Sequence, residues 1–253
     1  MQILKIPVVG IEQIQADVFL LKLKSKDLAE ITKPGQFYNI KVSESNFPLL
    51  RRPFSICDVE DDTLTFMFDV HGEGTKLLSQ KVVGDLVDIL GPLGNGFNFQ
   101  DDFETAVIVA GGLGSAPFPF LIRTIGNDKK VLSFIGGRSE KNVITWRLIN
   151  SKIATDDGSS GFIGNVVQLL KENENIFLES KCKIFSCGPN PMLKALQEYC
   201  LENDINCELS TECAMACGFG ICQGCPIETT NKNEPYKLVC KDGPVFNAKD
   251  IVI

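Results

Sequence analysis

The sequence is poor in histidine, in tryptophan and in positive charge. Its 253 residues include one histidine, His71, and one tryptophan, and the formal net charge is −7. A single histidine argues against a histidine-based catalytic triad and against a metal site built from several histidines. Because His71 lies beside glycines, we expect it in a surface turn. Nucleic-acid binding requires a basic face, so the acidic balance disfavours that class of partner.

Long apolar runs are also absent. None approaches the length of about 18 residues that a membrane-spanning helix requires. The N-terminal residues lack the apolar core and the cleavage site of a secretory signal. Ten cysteines in such a chain indicate metal or redox chemistry in a reducing compartment rather than disulfides. We therefore expect a cytoplasmic protein.

Four cysteines near the C-terminus form a compact motif. Cys217, Cys222 and Cys225 are separated by four and two residues, and Cys240 follows after fourteen more. Four thiolates at this spacing are typical of a [2Fe–2S] cluster. Glycines between the ligands allow the loop to turn tightly and to point backbone N–H groups at sulfur. These glycines are Gly218, Gly220 and Gly224.

Other uses of the cysteines stay open. A structural zinc site usually has two C-x2-C knuckles, and this segment has one. A disulfide framework conflicts with a reducing compartment. Cys213 is a rival ligand because it lies just before Cys217, but the Gly-Phe-Gly that follows Cys217 favours the latter. The remaining cysteines, expected as small core residues, are Cys57, Cys182, Cys187, Cys200 and Cys207.

The hydrophobic period divides the chain into three segments. Residues 1–100 form short alternating stretches between turns, which predicts an antiparallel barrel; residues 52–59 and 63–70 are a predicted pair across the turn at 60–62. In residues 101–205, apolar strands alternate with helices, which predicts a parallel sheet. Residues 143–148 are predicted to be helical. Residues 206–253 are too few for a full core, so bound metal is expected to supply much of their folding energy.

Two glycine-containing loops in the second segment end apolar strands and open helices. Residues 111–115 read Gly-Gly-Leu-Gly-Ser, and residues 187–189 read Cys-Gly-Pro. Backbone N–H groups and the helix dipole favour phosphate at such places, and two loops at the carboxyl ends of parallel strands would line one crevice. The alternative is a pair of tight turns. Cys187 is either a packed thiol or a group that faces a nicotinamide, and residues 136–138 are a candidate contact to an adenosine ribose.

The first segment carries a second candidate site. Residues 51–55 read Arg-Arg-Pro-Phe-Ser, so Arg52 and Phe54 share one face of a predicted strand and Ser55 points the other way unless the strand bends. Arginine suits a pyrophosphate and an aromatic ring suits a flavin. A surface ion pair beside a core phenylalanine is the alternative. Residues 72–75, Gly-Glu-Gly-Thr, are a further candidate phosphate loop.

The order of these parts resembles the ferredoxin–NADP reductase superfamily. The shared parts are an Arg-x-aromatic-Ser flavin strand, a Gly-x-Gly-Thr loop, the Gly-Pro-Leu-Gly-Asn-Gly edge at 91–96, a glycine-rich nucleotide loop and Cys-Gly-Pro before the last helix. The motif E-x-x-M-A-C-G-x-G-x-C-x-G-C, followed by C-K-D-G-P-V-F, narrows the resemblance to electron-transfer subunits of dihydroorotate dehydrogenase B. The resemblance covers the whole chain. It implies an antiparallel FAD-binding β-barrel domain at 1–100, a parallel-sheet α/β NAD-binding domain at 101–205 and a small [2Fe–2S] domain at 206–253.

The resemblance also implies the bound groups: one FAD, one [2Fe–2S] cluster held by the four cysteines of the motif, and NAD(H) as a substrate. The implied flavin contacts are Arg52, Pro53, Phe54, Ser55, Asp69, Val70, His71, Gly74 and Thr75. The implied nicotinamide nucleotide contacts are Gly111, Gly112, Gly114, Ser115, Cys187, Gly188 and Pro189. No catalytic acid or base is expected, since hydride transfer requires none. Phe54 stands where many relatives have a flavin-stacking tyrosine, which leaves the stacking geometry open.

A partner is implied as well: an FMN-containing catalytic subunit, in a complex with two copies of each chain that serves pyrimidine biosynthesis. Electrons from dihydroorotate would pass through the cluster to FAD and leave as hydride to NAD+, because a flavin exchanges electrons singly or in pairs. One alternative is the flavin and iron–sulfur subunit of a related NAD(P)H:ferredoxin oxidoreductase or sulfhydrogenase. Another is a zinc-stabilised nucleotide-binding regulator. The apolar residues near the cysteines either face a partner or form the domain's own core: Met215, Phe219, Ile221 and Phe246.

Overall fold

The N-terminal part of the chain folds into a closed antiparallel barrel. The computed structural model describes residues 1–45 and 47–253. The barrel strands are β1 (Gln2–Gln15), β2 (Val18–Lys24), β3 (Phe37–Lys41), β4 (Arg52–Glu60), β5 (Thr63–Asp69) and β6 (Leu86–Leu93), and its helices are α1 (Lys26–Ile31) and α2 (Glu73–Ser79). The strands close in the order β1-β2-β5-β4-β3-β6, so the predicted barrel is confirmed.

Alternation of apolar side chains explains the barrel core. Residues two apart on one strand face the same side, and such pairs as Phe66 with Phe68, or Val87 with Ile89, lie in the same buried cluster. The predicted pair across residues 60–62 is β4 with β5, in which Glu60 lies opposite Thr63. The period-two pattern therefore fixes which side chains fill the barrel.

The second part of the chain forms a mainly parallel sheet with helices between its strands. The strands are β7 (Thr105–Gly111), β8 (Lys130–Gly137), β9 (Ser151–Thr155), β10 (Phe162–Ile163), β11 (Cys182–Cys187) and β12 (Asn206–Ser210), and the helices are α3 (Phe118–Ile125), α4 (Val166–Glu172) and α5 (Asn190–Glu202). β7 is central and buried on both faces, as its continuous apolar run predicts.

The C-terminal part contributes a small hairpin and one more strand to this sheet. The strands are β13 (Pro226–Glu228), β14 (Tyr236–Leu238) and β15 (Val245–Asn247). The larger sheet has the order β10-β9-β8-β7-β11-β12-β15, and β15 runs antiparallel to β12. The division at 100/101 and 205/206 stays a prediction, although β12 pairs directly with β11 of the preceding segment. Among residues 1–45 and 47–253, we find no helix with the length and apolarity needed to cross a membrane.

The prediction of a helix at residues 143–148 is wrong. That stretch is an irregular connection between β8 and β9. Val143 and Ile144 are buried in two different apolar clusters, which holds the chain extended. Arg147 and Asn150 have φ of 54° and 50°, a left-handed conformation that ends any helical path.

Charged side chains join the barrel to the sheet at a buried point. Asp58 on β4 is 1% exposed. Its carboxylate accepts hydrogen bonds from Arg123 Nε (2.9 Å) and Nη2 (2.6 Å) on α3 and from Arg147 Nη1 (2.6 Å). The barrel carboxylate therefore receives two guanidinium groups from the second part of the chain.

Candidate functional site

A cavity of about 720 Å³, named the flavin-side cavity here, opens on the barrel side of the junction. The carboxyl end of β5, the loop into α2 and the start of β4 form its barrel wall. The predicted flavin contacts that line it are Arg52, Pro53, Phe54, Ser55, Asp69, His71, Gly74 and Thr75. Val70 instead packs against the barrel core. The structure thus brings eight of these nine residues together, and their roles as flavin contacts stay predictions.

The loop between β5 and α2 is held by Thr75. Its hydroxyl accepts from the His71 backbone N–H (3.2 Å) and donates to the Gly72 carbonyl (3.2 Å). Gly74 packs closely here, because a Cβ on it would lie 3.2 Å from Val42 and 3.5 Å from Arg52 Nε. The His71 ring is exposed, with Nδ1 2.9 Å from Asp69 Oδ1, as a turn residue should be.

Arg52 and Phe54 differ in how they are held. Arg52 Nη1 donates to the Leu50 carbonyl (2.6 Å), which leaves the rest of its guanidinium for a ligand. The Phe54 ring is buried and makes an edge contact with Phe68, with centroids 5.9 Å apart. Arg51, the residue before Arg52, is instead paired with Asp88 (2.8 Å). Arg52 is therefore the arginine available to a pyrophosphate in this cavity.

A second cavity, of about 920 Å³ and named the nucleotide cavity here, lies at the carboxyl ends of β7, β8 and β11. The predicted nucleotide contacts on its wall are Gly111, Gly112, Gly114, Gly188 and Pro189. The neighbouring strands β7 and β11 pair in register, with Ala110 opposite Cys187. The helices that follow them, α3 and α5, pack in two different apolar clusters. Ligands of open α/β sheets bind at such a switch point.

Close packing joins the two glycine-containing loops. A Cβ on Gly114 would lie 2.3 Å from the Cys187 carbonyl oxygen, so only glycine fits there. Ser115 is buried and does not line the cavity. Cys187 is also buried, a surrounding that raises the pKa of its thiol, and it borders the flavin-side cavity rather than the nucleotide cavity.

The nucleotide cavity includes residues that the sequence analysis missed. The candidate residues Gly136, Gly137 and Arg138 line it as well. The structure adds further polar residues to its wall, among them Asn142, Asp156 and Asn165. They come from three separate connections, so no local motif marks them in the sequence.

The two cavities share one wall. Leu113, Glu212 and Cys213 line both of them. Partial loss of hydration between the two cavities, and then the charge of Asp69, raise the pKa of the Glu212 carboxyl. From this wall the chain continues through Met215, which also lines the flavin-side cavity, to Cys217. The acidic first residue of the E-x-x-M-A-C motif therefore stands where the cavities meet.

The four cysteines of the motif lie in two pairs. The backbone N–H of Cys222 donates to Cys217 Sγ (3.4 Å), and Cys225 Sγ lies 3.1 Å from Cys240 Sγ. A two-iron cluster takes two thiolates on each iron, so this arrangement fits it. In the described part of the chain, no group of three or more His, Cys, Asp or Glu side chains is placed to hold one metal ion.

The loop geometry favours thiolate at Cys217. Burial alone would raise its pKa, but N–H groups of Cys222, Phe219 and Ile221 point at the sulfur and bring the pKa to about 6. Gly218 and Gly220 have φ of 77° and 91°, as expected for a loop that wraps around sulfur. The donors and the fold of the loop therefore suit an anionic cluster.

The two pairs differ in exposure, and Cys217 is partly buried. Cys222 is exposed, whereas Cys225 and Cys240 are 2% and 1% exposed. Of the apolar neighbours, Phe246 belongs to the buried core and Ile221 is 75% exposed. The apolar residues near the cysteines therefore do not all belong to one class. Phe246 is part of the core, and Ile221 lies at the surface where a partner could contact it.

The barrel followed by a mainly parallel sheet is the fold of ferredoxin–NADP reductases. The chain is similar to an NADH-dependent reduced ferredoxin–NADP oxidoreductase, with a TM-score of 0.84 at 24% identity over 98% of this chain and 89% of that one. It is also similar to a ferredoxin NADP+ reductase from Neisseria gonorrhoeae, solved with FAD and NADP (TM-score 0.65, 18% identity, covering 80% and 92%).

Sequence relatives define the family within this class. Residues 212–252 match the iron–sulfur cluster binding domain of dihydroorotate dehydrogenase B. The chain is 34% identical to the electron transfer subunit of dihydroorotate dehydrogenase B (NAD(+)) from Desulforamulus reducens, over 97% of this chain and 96% of the relative. It is 36% identical to that of Geobacillus thermodenitrificans, over 98% of each. The chain therefore belongs to the family of electron-transfer subunits of dihydroorotate dehydrogenase B.

Proposed function

We propose that this chain carries electrons between a dihydroorotate-oxidising partner and NAD+ in pyrimidine biosynthesis. The observation that carries the proposal is the shared wall of the two cavities. Leu113, Glu212 and Cys213 border both cavities, and four residues beyond Cys213 the chain reaches the first cysteine of the motif. In this proposal the nucleotide site, the flavin site and the thiolate loop are therefore contiguous.

Each part has a role in this proposal. Arg52 and the loop closed by Thr75 bind the FAD pyrophosphate and ribityl chain, and the loops at 111–114 and 188–189 bind NAD(H). Cys217 with Cys222, and Cys225 with Cys240, hold the [2Fe–2S] cluster. When bound, the flavin exchanges hydride with nicotinamide and single electrons with the cluster. The protein residues bind and orient these groups, and no side chain acts as a catalytic acid or base.

The partner in this proposal is a separate FMN-containing catalytic subunit, with two copies of each chain in a cytoplasmic complex. Support comes from the relatives, which are named as subunits. It also comes from the surface position of Cys222 and Ile221, since a cluster that serves another chain needs an accessible edge.

Anaerobic purification with flavin and metal analysis tests the proposal. We expect FAD and two iron atoms per chain, in keeping with a two-iron cluster, and bleaching of the flavin absorbance by NADH. Co-purification from the native source should yield an FMN-containing chain. Zinc in place of iron, or a flavin-loaded protein that NADH does not bleach, would refute the proposal.

A further inference from the structure

Two asparagines of the barrel segment contact the cluster segment on either side of the cysteine motif. Asn39, on β3, is 1% exposed. Its Nδ2 donates to the Cys217 carbonyl oxygen (3.4 Å) and packs so closely on the next residue that a Cβ on Gly218 would lie 1.8 Å from it. The first cysteine is thereby held against the barrel.

Asn95 makes the second contact. It lies just beyond β6, and its Nδ2 donates to the Asp242 carbonyl oxygen (2.8 Å) while its backbone N–H donates to that of Gly243 (2.6 Å). It also forms an isolated bridge with Pro244. Because Asp242 follows Cys240 by two residues, this contact holds the chain just after the last cysteine.

The same barrel strand borders the flavin-side cavity. Asn39 lies directly opposite Pro53 on β4, and Phe37, two residues before it, lines the cavity. On the cluster side, Met215 lines the cavity and precedes Cys217 by two residues, a span of at most about 7 Å. The strand that bounds the flavin site therefore also holds the first cysteine.

A buried side-chain amide such as that of Asn39 destabilises the fold unless its N–H groups form hydrogen bonds. In the described part of the chain, its Oδ1 has no hydrogen-bond partner, and a buried acceptor without a partner destabilises a fold. Leucine has a similar size and would avoid this cost. Unlike leucine, the asparagine supplies the hydrogen bond from Nδ2 to the Cys217 carbonyl oxygen.

We propose that Asn39 and Asn95 are positioning residues that set the distance between flavin and cluster. The inference rests on the proposed function. Neither side chain touches a reacting atom; each fixes the backbone next to a cluster ligand onto the barrel that binds the flavin. Since single-electron transfer slows steeply with distance, loosening either contact should slow that step and leave hydride transfer from NADH unchanged.

Stopped-flow reduction of the full-length, FAD- and cluster-loaded protein by NADH separates the two steps. NADH delivers two electrons and a proton as hydride to the flavin, and one of these electrons then passes to the cluster, where rapid-freeze EPR detects it. We expect Asn39→Leu and Asn95→Ala to slow cluster reduction several-fold with flavin bleaching at the wild-type rate. Asn39→His keeps an N–H donor and should restore the rate.

Asn98→Ala is the matched control, because its side chain bonds Asp101 and not the cluster segment. Wild-type rates of cluster reduction in both test variants would overturn the inference, as would an equal slowing of both phases. If Asn39→Leu fails to retain iron, Asn95→Ala decides alone, since its side chain is at the surface. Absence of bleaching in the unmodified protein would contradict the proposed function instead.

Discussion

Replacing Asp58 with alanine tests whether the buried ion-pair network holds the barrel onto the sheet. The Asp58 side chain is 1% exposed, whereas those of Arg123 and Arg147 are each 43% exposed. Removing one member of a buried pair usually costs about 3–5 kcal/mol. Here water can reach both guanidinium groups after the change, so we expect a loss near the lower end, about 3 kcal/mol.

This loss should be visible as a lower melting temperature. For a chain of this size, each kcal/mol corresponds to about 2–4 °C, so the expected decrease is roughly 6–12 °C. Circular dichroism of the FAD-loaded protein measures it. NADH-dependent flavin bleaching should also slow, because the network lies at the barrel–sheet junction that the two cavities straddle.

Asp62→Ala is the control for this experiment. Asp62 pairs with Lys24 at the barrel surface (3.0 Å) and contacts nothing in the second part of the chain, so its melting temperature and bleaching rate should match the wild type. If Asp58→Ala melts at the wild-type temperature and bleaches at the wild-type rate, the two arginines do not hold the domains together and the reasoning is refuted.

Three further predictions concern the bound groups and the buried charges. Arg52→Ala should purify with much less FAD, whereas Arg51→Ala should keep its FAD and lose stability through its pair with Asp88; equal flavin content in both would contradict the assignment. Cys213→Ser should keep its full iron content, and loss of iron would make it a ligand. Burial raises the pKa of Glu208, and Lys183 (3.0 Å away) opposes this, so Lys183→Met should raise it further. Because the folded-state pKa then exceeds the unfolded value of about 4.3, stability should fall as the pH rises above that value; pH-independent melting in this variant would contradict the argument.

The sequence predicts those parts of the fold whose pattern is local. β4 and β5 alternate around a polar turn, and β7 is a continuous apolar run, so both appear in the structure as predicted. The helix at 143–148 fails because its apolar residues serve two separate clusters rather than one helical face. The long strand β1 was not predicted, since its two halves pair with different neighbours, β6 and β2.

The candidate sites follow the same division. The cysteine motif and each of the two glycine-containing loops are short, continuous stretches of sequence. Most residues of the loops line the cavities, and the cysteines of the motif form the two pairs. Asp156 and Glu212 reach the cavities from distant connections, so only the tertiary structure brings them there. The contact of Asn39 with Gly218 joins residues far apart in the chain and has no counterpart in any local pattern.

The outermost strand of the larger sheet, β15, comes from the cluster segment and covers β12. An uncovered strand edge invites association with other chains, and a segment folded by metal loosens without it. Iron shortage would thus expose the edge of β12. Proteases in the cell would then degrade the subunit before it could assemble. Limited proteolysis with and without iron should reveal this, with cleavage first appearing between residues 211 and 250.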